Sequence, residues 1–228
     1  MALIETRELH KHYQLGEISV AALNGVELAI ESGEFVVLAG RSGSGKTTLL
    51  NLVGALDMPD RGEVFIRGEN FHSLSKDARA SFRLRHIGFV FQAYNLIRVL
   101  SARENVAYVL ELQGVAKSER MTLADRWLAE VGLLELGDRR PDQLSGGQQQ
   151  RVAVARALAS SPAIVLADEP TANLDSHTGM ALIELMQHLN REHGTTFLIA
   201  SHDPNVLAAA GRLVRMEDGA IVEEERRG

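Results

Sequence analysis

The sequence predicts an α/β fold whose core sheet is largely parallel. Four short runs, at residues 34–40, 86–92, 163–169 and 196–202, are almost continuously apolar, as strands buried on both faces of a parallel sheet are. Amphipathic helical patterns separate these runs along the chain. With 228 residues the chain is either one domain or a domain with a sizeable insertion, and it is long enough to bury a sizeable core.

The first helices between the runs have recognisable patterns. Ser101 and Glu104 form a capping box that starts one helix ahead of a group of apolar residues. Leu123, Trp127 and Val131 recur every four residues and predict a second amphipathic helix.

Two further helices follow toward the C-terminus. One is predicted from about residue 176 to residue 193, where Gly194 stops it. The other begins after Asp203, its N-cap, with Pro204 in the first turn. Because residues 93–158 are mostly helical in pattern, they are predicted to form an inserted subdomain.

Composition narrows the function classes. The chain has no cysteine, which excludes disulfides, zinc–thiolate sites and cysteine nucleophiles. The formal net charge of −6 argues against a nucleic-acid binder, because such proteins usually carry a basic excess. The first residues lack the apolar segment of a secretory signal, and no uncharged apolar run approaches the ~20 residues that span a bilayer. Any role at a membrane is therefore expected to be peripheral.

A glycine-rich stretch, GRSGSGKTT, connects the first apolar run to a helical pattern. This strand–GxxxxGK[ST]–helix order is that of a P-loop, in which backbone N–H groups and a helix N-terminus converge on phosphate. Lys46 is expected to reach the β- and γ-phosphates of a nucleotide, and the Thr47 hydroxyl to ligate Mg²⁺. The alternative is a glycine-rich turn that matches by chance. The residues predicted to bind the nucleotide here are Gly40, Ser42, Gly43, Ser44, Gly45, Lys46, Thr47 and Thr48.

Two acidic residues end the third apolar run. Asp168 stands where a P-loop protein places a second residue for its metal ion, and Glu169 follows directly. At the end of a strand Glu169 can turn toward the phosphates and polarise an attacking water as general base, while Asp168 acts through Mg²⁺. A purely structural pair of carboxylates is the alternative.

A second glycine stretch, Ser145-Gly146-Gly147, also exposes backbone N–H groups at a predicted helix start, near Gln148. Taken alone, it fits a plain loop ahead of a helix. With the P-loop upstream, the chain has two candidate phosphate cradles.

Together these motifs resemble the nucleotide-binding subunit of ATP-binding cassette (ABC) transporters over essentially the whole chain. LSGGQ at residues 144–148 is the signature of that family, and FQ at 91–92, ANLD at 172–175 and SH at 201–202 match its Q-loop, D-loop and switch histidine. The resemblance implies a single ABC ATPase domain over residues 1–228. Its fold would be a RecA-like P-loop NTPase core with a mainly parallel sheet, an antiparallel β subdomain and an inserted α-helical signature subdomain.

The resemblance also implies roles for single residues, with ATP as the nucleotide. Gln92 would contact Mg²⁺ or the attacking water, and the alternative is a buried amide at the sheet edge. His202 would bond the γ-phosphate, and Tyr13 would stack on adenine unless it is an ordinary half-buried strand aromatic. Asp175 would organise a dimer interface at the nucleotide. The catalytic set is therefore Lys46, Gln92, Glu169 and His202, and the metal set is Thr47, Gln92 and Asp168.

In this family two subunits face each other head to tail, so that ATP lies between the P-loop of one and the signature of the other. Ser145, Gly146, Gly147 and Gln148 would then bind the nucleotide of the partner chain, with the helix dipole directed at its phosphate. The two cradles would form one site from two molecules, and ATP binding is expected to produce a homodimer.

Two stretches, residues 91–106 and 166–175, look like the lipoprotein-releasing and macrolide-exporter ATPases. The resemblance implies an integral-membrane permease partner with a large extracytoplasmic domain. It also implies a peripheral location on the cytoplasmic face of the bacterial inner membrane, and export driven by closure of the dimer. The chain departs from the pattern at Arg98, where proline is usual, and at Ser201, where threonine is common. Neither residue is expected to touch the catalytic groups.

Two other function classes remain open at this point. One is a regulatory ABC ATPase that controls envelope enzymes through a permease-like partner. The other is a soluble, non-transport ABC protein, although such proteins typically carry two cassettes or long coiled-coil insertions. The acidic balance of the chain also leaves nucleic acid out of the expected partners.

Overall fold

The computed structural model describes residues 2–16 and 18–227. These residues contain ten strands and seven α-helices. In chain order, the strands are β1 (Ile4–Leu15), β2 (Ile18–Ile30), β3 (Phe35–Ala39), β4 (Arg61–Ile66), β5 (Glu69–Asn70), β6 (Ile87–Phe91), β7 (Ile164–Asp168), β8 (Thr196–Ser201), β9 (Arg212–Glu217) and β10 (Ala220–Arg226). The helices are α1 (Lys46–Val53), α2 (Lys76–His86), α3 (Ala102–Leu112), α4 (Lys117–Glu130), α5 (Gly146–Ala159), α6 (Ser176–His193) and α7 (Pro204–Ala208).

The four predicted apolar runs form neighbouring strands of one sheet. Its order is β10-β9-β3-β8-β7-β6, and all pairs are parallel except β10 with β9. Every residue of β3 and β8 is buried, as expected of strands covered on both faces. The carboxyl ends of β3, β8, β7 and β6 therefore meet at one edge of the sheet. The predicted α/β class with a mainly parallel sheet is confirmed.

A second sheet, with the order β2-β1-β4-β5, is antiparallel throughout. Together with α1 it shares a hydrophobic core with Val36, Leu38 and Leu198 of the first sheet. Val37 and Ile199 instead join a core formed with α3 to α6. Successive residues of a strand point to opposite faces, so β3 contributes to both cores. The antiparallel subdomain implied by the family resemblance is present.

Local capping sets the predicted helix ends. The Ser101 and Glu104 side chains complete both bonds of a capping box at α3, and Asp203 caps α7 ahead of Pro204. Helix α6 ends at Gly194, whose φ of 63° is left-handed. These ends agree with the sequence prediction.

The start of α5 differs from its prediction. The sequence pattern places it near Gln148, whereas the helix begins two residues earlier at Gly146, with Ser145 as its N-cap. Ser145 Oγ accepts from the Gln148 N–H at 3.3 Å, and the Gln148 side chain accepts from the Ser145 N–H at 2.9 Å. This reciprocal capping box offsets the low helix propensity of Gly146 and Gly147.

Helices α3, α4 and α5 lie between β6 and β7 in the chain and pack on one another. Leu110, Leu128 and Val152 are buried in this contact region. An inserted subdomain with the boundaries 93–158 stays a prediction. In the two described ranges, no helix is both long and apolar enough to cross a membrane.

His72 gives the fold a dependence on pH. It lies in a short 3₁₀ turn after β5, with its ring 4.5 Å from that of Phe71, and burial lowers its pKa to about 4. In the unfolded chain the ring would be protonated below its ordinary pKa of about 6.5. Between those two values the unfolded state binds more protons than the folded state, so the free energy of unfolding falls as the pH falls.

We expect the His72→Gln variant to lose part of this dependence. Because the side chain is only partly buried, the lowered pKa is discounted for solvent screening, and we expect His72 alone to reduce the free energy of unfolding by roughly 1 kcal/mol between pH 7 and pH 5. Urea unfolding at both pH values measures the change for the wild type, for His72→Gln and for a control at an exposed histidine, His188→Gln. An identical slope with pH in all three proteins would contradict the role given to His72.

Candidate functional site

The P-loop joins β3 to α1, and the side chain of its lysine is hydrogen-bonded to the backbone of the loop. Gly45 is the N-cap of α1 with a φ of 99°, and a Cβ atom added there would lie 2.5 Å from the Ala22 carbonyl oxygen. Both the backbone conformation and the close approach therefore require glycine. Lys46 is buried, and its Nζ donates to the carbonyl oxygens of Gly40 at 2.8 Å and Arg41 at 3.0 Å. The ammonium group is thus held by the loop that precedes it.

A cavity of about 470 Å³ adjoins the P-loop. The P-loop and the ends of β6, β7 and β8 reach it, because the carboxyl ends of these strands meet at the same edge of the sheet. An adjoining cavity of about 880 Å³ shares part of this lining and adds Gly40. The predicted site residues that line the first cavity are Ser42, Gly43, Ser44, Gly45, Lys46, Thr47, Thr48, Gln92, Asp168, Glu169 and His202.

Asp168 and Thr47 are hydrogen-bonded in the first cavity. Thr47 Oγ1 donates to Asp168 Oδ1 at 3.0 Å. Burial raises the pKa of the Asp168 carboxyl, and the bond from Thr47 and the charge of Lys46 oppose that rise. A cation beside this carboxylate would stabilise its charged form. The Gln92 side chain is exposed and lines the same cavity, so it is not an amide buried at the sheet edge.

Glu169 stands at a turn directly after β7. Its φ of 45° is left-handed, which is uncommon for a residue other than glycine, and its N–H donates to the Ala200 carbonyl at 2.9 Å. Its Oε1 lies 2.8 Å from Nδ1 of His202. The turn therefore brings the carboxylate to the cavity together with the imidazole.

Ser201 contacts the same carboxylate. Its hydroxyl donates to Glu169 Oε2 at 3.3 Å and accepts the Asp203 N–H at 3.1 Å. The prediction that Ser201 touches none of the residues predicted to be catalytic is wrong, because the end of β8 lies beside the end of β7. Arg98, the other departure from the family pattern, is exposed and lines neither cavity within the described ranges.

Tyr13 lies in β1, in the antiparallel sheet, and is 36% exposed. Its hydroxyl donates to Asp57 Oδ2 at 2.8 Å, and Lys11 Nζ lies 5.2 Å from the centre of its ring. Lys11 also pairs with Asp57 at 3.0 Å. The ring is therefore anchored at the sheet, outside the lining of the first cavity as far as the described residues go.

The second glycine stretch lies at the start of α5, beside the start of α6. A Cβ atom at Gly147 would collide with the methyl group of Thr178, and Thr178 in turn bonds to Asp175, the N-cap of α6. Ser145 and Asp175 therefore lie on neighbouring helix N-termini. For the part of the chain that the structure describes, neither cavity includes these two residues or residues 146–148. The predicted site residues other than Tyr13 thus fall into two separate groups.

A family model described as ABC transporter matches residues 23–172. The chain belongs to the ABC transporter family. The resemblance inferred from the motifs is thereby confirmed, and two relatives extend it beyond the matched range. The macrolide export ATP-binding/permease protein MacB of Syntrophobacter fumaroxidans is 47% identical over 98% of this chain, which spans only 32% of that longer protein. The uncharacterized ABC transporter ATP-binding protein MJ1508 of Methanocaldococcus jannaschii is 45% identical over 97% of this chain and 98% of its own length.

A solved ABC cassette has the same fold. The dimeric ATP-binding cassette MJ0796, described as a post-hydrolysis state bound to ADP and Pi, aligns with a TM-score of 0.90 and 43% identity over 99% of both chains. The cassette fold, with a P-loop NTPase core and an antiparallel subdomain, is confirmed by this agreement.

The sequence motifs do not reveal every residue that lines or neighbours the candidate site. Val20 and Ala22 of β2 line the first cavity, and no local pattern marks them, because they reach it only through the packing of the two sheets. Gln150 is fully buried in α5, and a polar residue at an otherwise apolar helix position is a signal that would have found it.

Proposed function

We propose that this ABC cassette binds and hydrolyses ATP and thereby powers a membrane transporter. One observation carries the proposal: a single cavity holds the P-loop lysine, a Thr–Asp pair suited to Mg²⁺ and a Glu–His pair suited to activate water. The description of MJ0796 as a post-hydrolysis state with ADP and Pi supports it.

The P-loop fits the phosphates of a nucleotide. Helix α1 begins at Lys46, so its first N–H groups and its dipole favour an anion at the cavity. Ser44 Oγ is buried and has no hydrogen-bond partner among the described residues, and a phosphate oxygen would satisfy it. In the proposal, the loop amides and Lys46 bind and orient the β- and γ-phosphates.

Mg²⁺ fits the pair formed by Thr47 and Asp168. Both offer oxygen atoms, the ligands that Mg²⁺ prefers, 3.0 Å apart, and Gln92 offers another oxygen at the same cavity. When bound, Mg²⁺ neutralises negative charge on the phosphates. The task of the chain is to hold the Asp168 carboxylate in place through Thr47.

Glu169 is the general base of the proposed reaction. Its carboxylate takes a proton from the attacking water, and the contacts with His202 and Ser201 hold that carboxylate in position. Nδ1 of His202 faces Glu169, and in the imidazolium form, in which both ring nitrogens carry a proton, Nε2 can donate to the γ-phosphate. In this proposal Glu169 acts on the attacking water, and His202 acts on the phosphoryl group that the water attacks.

Tyr13 is the proposed platform for adenine. Its ring is partly exposed, and its hydroxyl is anchored to Asp57. A ring that is fixed before the base arrives loses little conformational entropy on stacking. The anchoring by Asp57 therefore favours binding of the base.

The signature residues are proposed to complete the site of a second copy. Ser145, Gly146, Gly147 and Gln148 start α5, whose N-terminus favours phosphate, yet they line neither described cavity of their own chain. Asp175 lies beside them at the start of α6. Two solved structures of MJ0796 are described as dimeric. ATP shared between one P-loop and the partner's signature would join two chains as a homodimer.

The membrane partner is proposed to be an integral-membrane permease with a large extracytoplasmic domain. The MacB relatives are named ATP-binding/permease proteins, and cbiO1 of Clostridium perfringens, with a TM-score of 0.89 and 27% identity, is described as part of an ABC transporter complex. A groove of about 390 Å³ between α2, β6, α3 and α5 is lined in part by Leu84, Phe89 and Val109 and reaches Phe91, the neighbour of Gln92. A permease seated there would touch the strand that leads to the nucleotide.

The location and cargo follow from that partner. The cassette would act at the cytoplasmic face of the bacterial inner membrane and drive export of the lipoprotein or macrolide kind. Detergent purification of the tagged chain from native membranes tests this, with partners identified by mass spectrometry. A recovered permease supports the transporter, a cell-wall hydrolase activator supports the regulatory alternative, and ribosomal proteins without a membrane protein support the soluble one.

We expect Lys46→Ala to weaken ATP binding by roughly ten-fold or more, because it removes a charged donor to the phosphates. Equilibrium binding of a fluorescent ATP analogue with Mg²⁺ measures the affinity, and phosphate release measures turnover. Arg41→Ala is the matched control, since Arg41 belongs to the same loop but is exposed. Unchanged ATP affinity in Lys46→Ala would contradict the proposed phosphate site.

A further inference from the structure

The loop at residues 91–95, which we call the Gln92 loop, has every one of its carbonyl oxygens hydrogen-bonded. Two of these bonds are internal and are donated by the N–H groups of Tyr94 and Asn95. These two residues have φ values of 58° and 51°, which residues other than glycine adopt rarely. A loop in this conformation has to be held by its surroundings, and side chains of distant elements supply the other bonds.

Arg156 of α5 supplies two of the external bonds. Its Nη1 donates to the Asn95 carbonyl at 2.6 Å and its Nη2 to the Tyr94 carbonyl at 3.0 Å. Burial lowers the pKa of the guanidinium, and no carboxylate of the described residues offsets this. A partly buried cation without a carboxylate is unfavourable for folding, so stability alone does not account for arginine here. The planar guanidinium instead suits two carbonyls that must be bound together.

Gln150 of α5 holds the start of the loop. Its Nε2 donates to the Pro170 carbonyl at 2.8 Å and to the Phe91 carbonyl at 3.2 Å. Its Oε1 is buried and has no partner within the described ranges. Since a buried oxygen without a partner is unfavourable, an apolar side chain would serve packing better. The amide is therefore explained by what its nitrogen joins: the Gln92 loop and the residue after Glu169.

Asn173 supplies the last external bond. Its Nδ2 donates to the Gln92 carbonyl at 2.9 Å. Asn173 is exposed and lies between Glu169 and Asp175, on the segment that leads into α6. The Gln92 loop is thus bonded on one side to α5 and on the other to this segment.

We propose that Gln150, Arg156 and Asn173 are positioning residues that hold the Gln92 loop, so that the Gln92 side chain is presented to the cavity of its own chain. The proposal rests on the ATPase function proposed above. Two of the three belong to α5, the helix whose N-terminus is offered to the partner's nucleotide.

Hydrogen–deuterium exchange of the nucleotide-free full chain tests whether the three side chains hold the loop. Gln150→Met, Arg156→Lys and Asn173→Asp remove or weaken the bonds and keep the approximate size of each side chain. We expect the amides of residues 92–97 to exchange roughly ten-fold faster in each variant, with the core strands unchanged.

The matched control for this measurement is Arg151→Lys. Arg151 lies on the same helix and also donates to a carbonyl, that of Val131 at 3.4 Å, which is outside the Gln92 loop. We expect this variant to exchange like the wild type over residues 92–97. Faster exchange in the control as well would show a general loosening of α5. It would overturn the proposal that the three side chains hold the Gln92 loop specifically.

A double-mutant cycle with Gln92→Ala tests the functional consequence. We expect each of the three positioning variants to lower kcat by about ten-fold and to leave KM for ATP within about two-fold. In the Gln92→Ala background the same substitutions should cause no further loss, because they act through that side chain. Rescue of kcat is expected when Asn173→Asp is replaced by Asn173→Gln, which again carries a donor.

The possible outcomes separate the two proposals. Unchanged exchange in the three variants would show that these side chains do not hold the Gln92 loop. Losses of kcat that add to the loss in Gln92→Ala would show that they do not act through the Gln92 side chain. A wild-type protein that hydrolyses no ATP, alone or with its membrane partner, overturns the proposed function. In that case the exchange experiment still decides whether the side chains hold the loop.

Discussion

Replacement of Glu169 by glutamine is expected to lower ATP turnover by about a thousand-fold, because a general base contributes about 10²–10⁴-fold to such a reaction. The amide keeps the size of the side chain but takes no proton from water. Lys46 and Thr47 are unchanged, so the affinity for ATP should stay within about two-fold of the wild type. Single-turnover hydrolysis and equilibrium nucleotide binding measure the two quantities separately.

The same substitution is expected to convert monomer to dimer when Mg-ATP is added, which light scattering detects. ATP that is not hydrolysed stays between the P-loop of one chain and the signature of the other. Glu184→Gln is the control, since Glu184 is exposed on α6 and lines neither cavity. Retained turnover would count against Glu169 as the base, and a monomer at saturating Mg-ATP would count against a self-sufficient homodimer.

Features with a cause inside a short stretch of chain are those that the sequence predicts well. Helix α6 runs from residue 176 to residue 193 as predicted, because Asp175 caps its start and Gly194 ends it. The apolar runs become core strands within a residue or two, since continuous apolar sequence is needed where both faces are covered. The P-loop belongs to the same class, because its glycines serve the backbone conformation of one turn.

Features that depend on contacts between distant elements are not predictable in this way. The hydrogen bond from Ser201 to Glu169 forms because β7 and β8 are adjacent, and no sequence pattern near either residue predicts it. Tyr13 finds its partner Asp57 across 44 residues of sequence. The start of α5 differs from its prediction for another reason: two glycines weaken the helical pattern, and the capping box formed by Ser145 outweighs them.

Because the signature residues lie apart from the P-loop of their own chain, a substitution among them is the second change for which we expect a large effect. Ser145→Asp is expected to prevent ATP-dependent dimerisation and to lower turnover by at least about a hundred-fold, because a carboxylate is brought against the partner's γ-phosphate. Aspartate caps a helix as well as serine does, so α5 should keep its start. Ser145→Asn has the same shape and capping ability without the charge, and it should retain the dimer. Binding of ATP to the P-loop of the separate chains should be equal in both variants.

Mixing two inactive variants decides whether the site is shared. A Ser145→Asp chain has an intact P-loop and a damaged signature, whereas a Lys46→Ala chain has the reverse. A heterodimer of the two contains one site in which both halves are intact, so the mixture should regain turnover that neither variant has alone. If Ser145 served the nucleotide of its own chain, every site in the mixture would carry one damaged half and no activity would return. Ser145 lines neither described cavity of its own chain, which favours recovery.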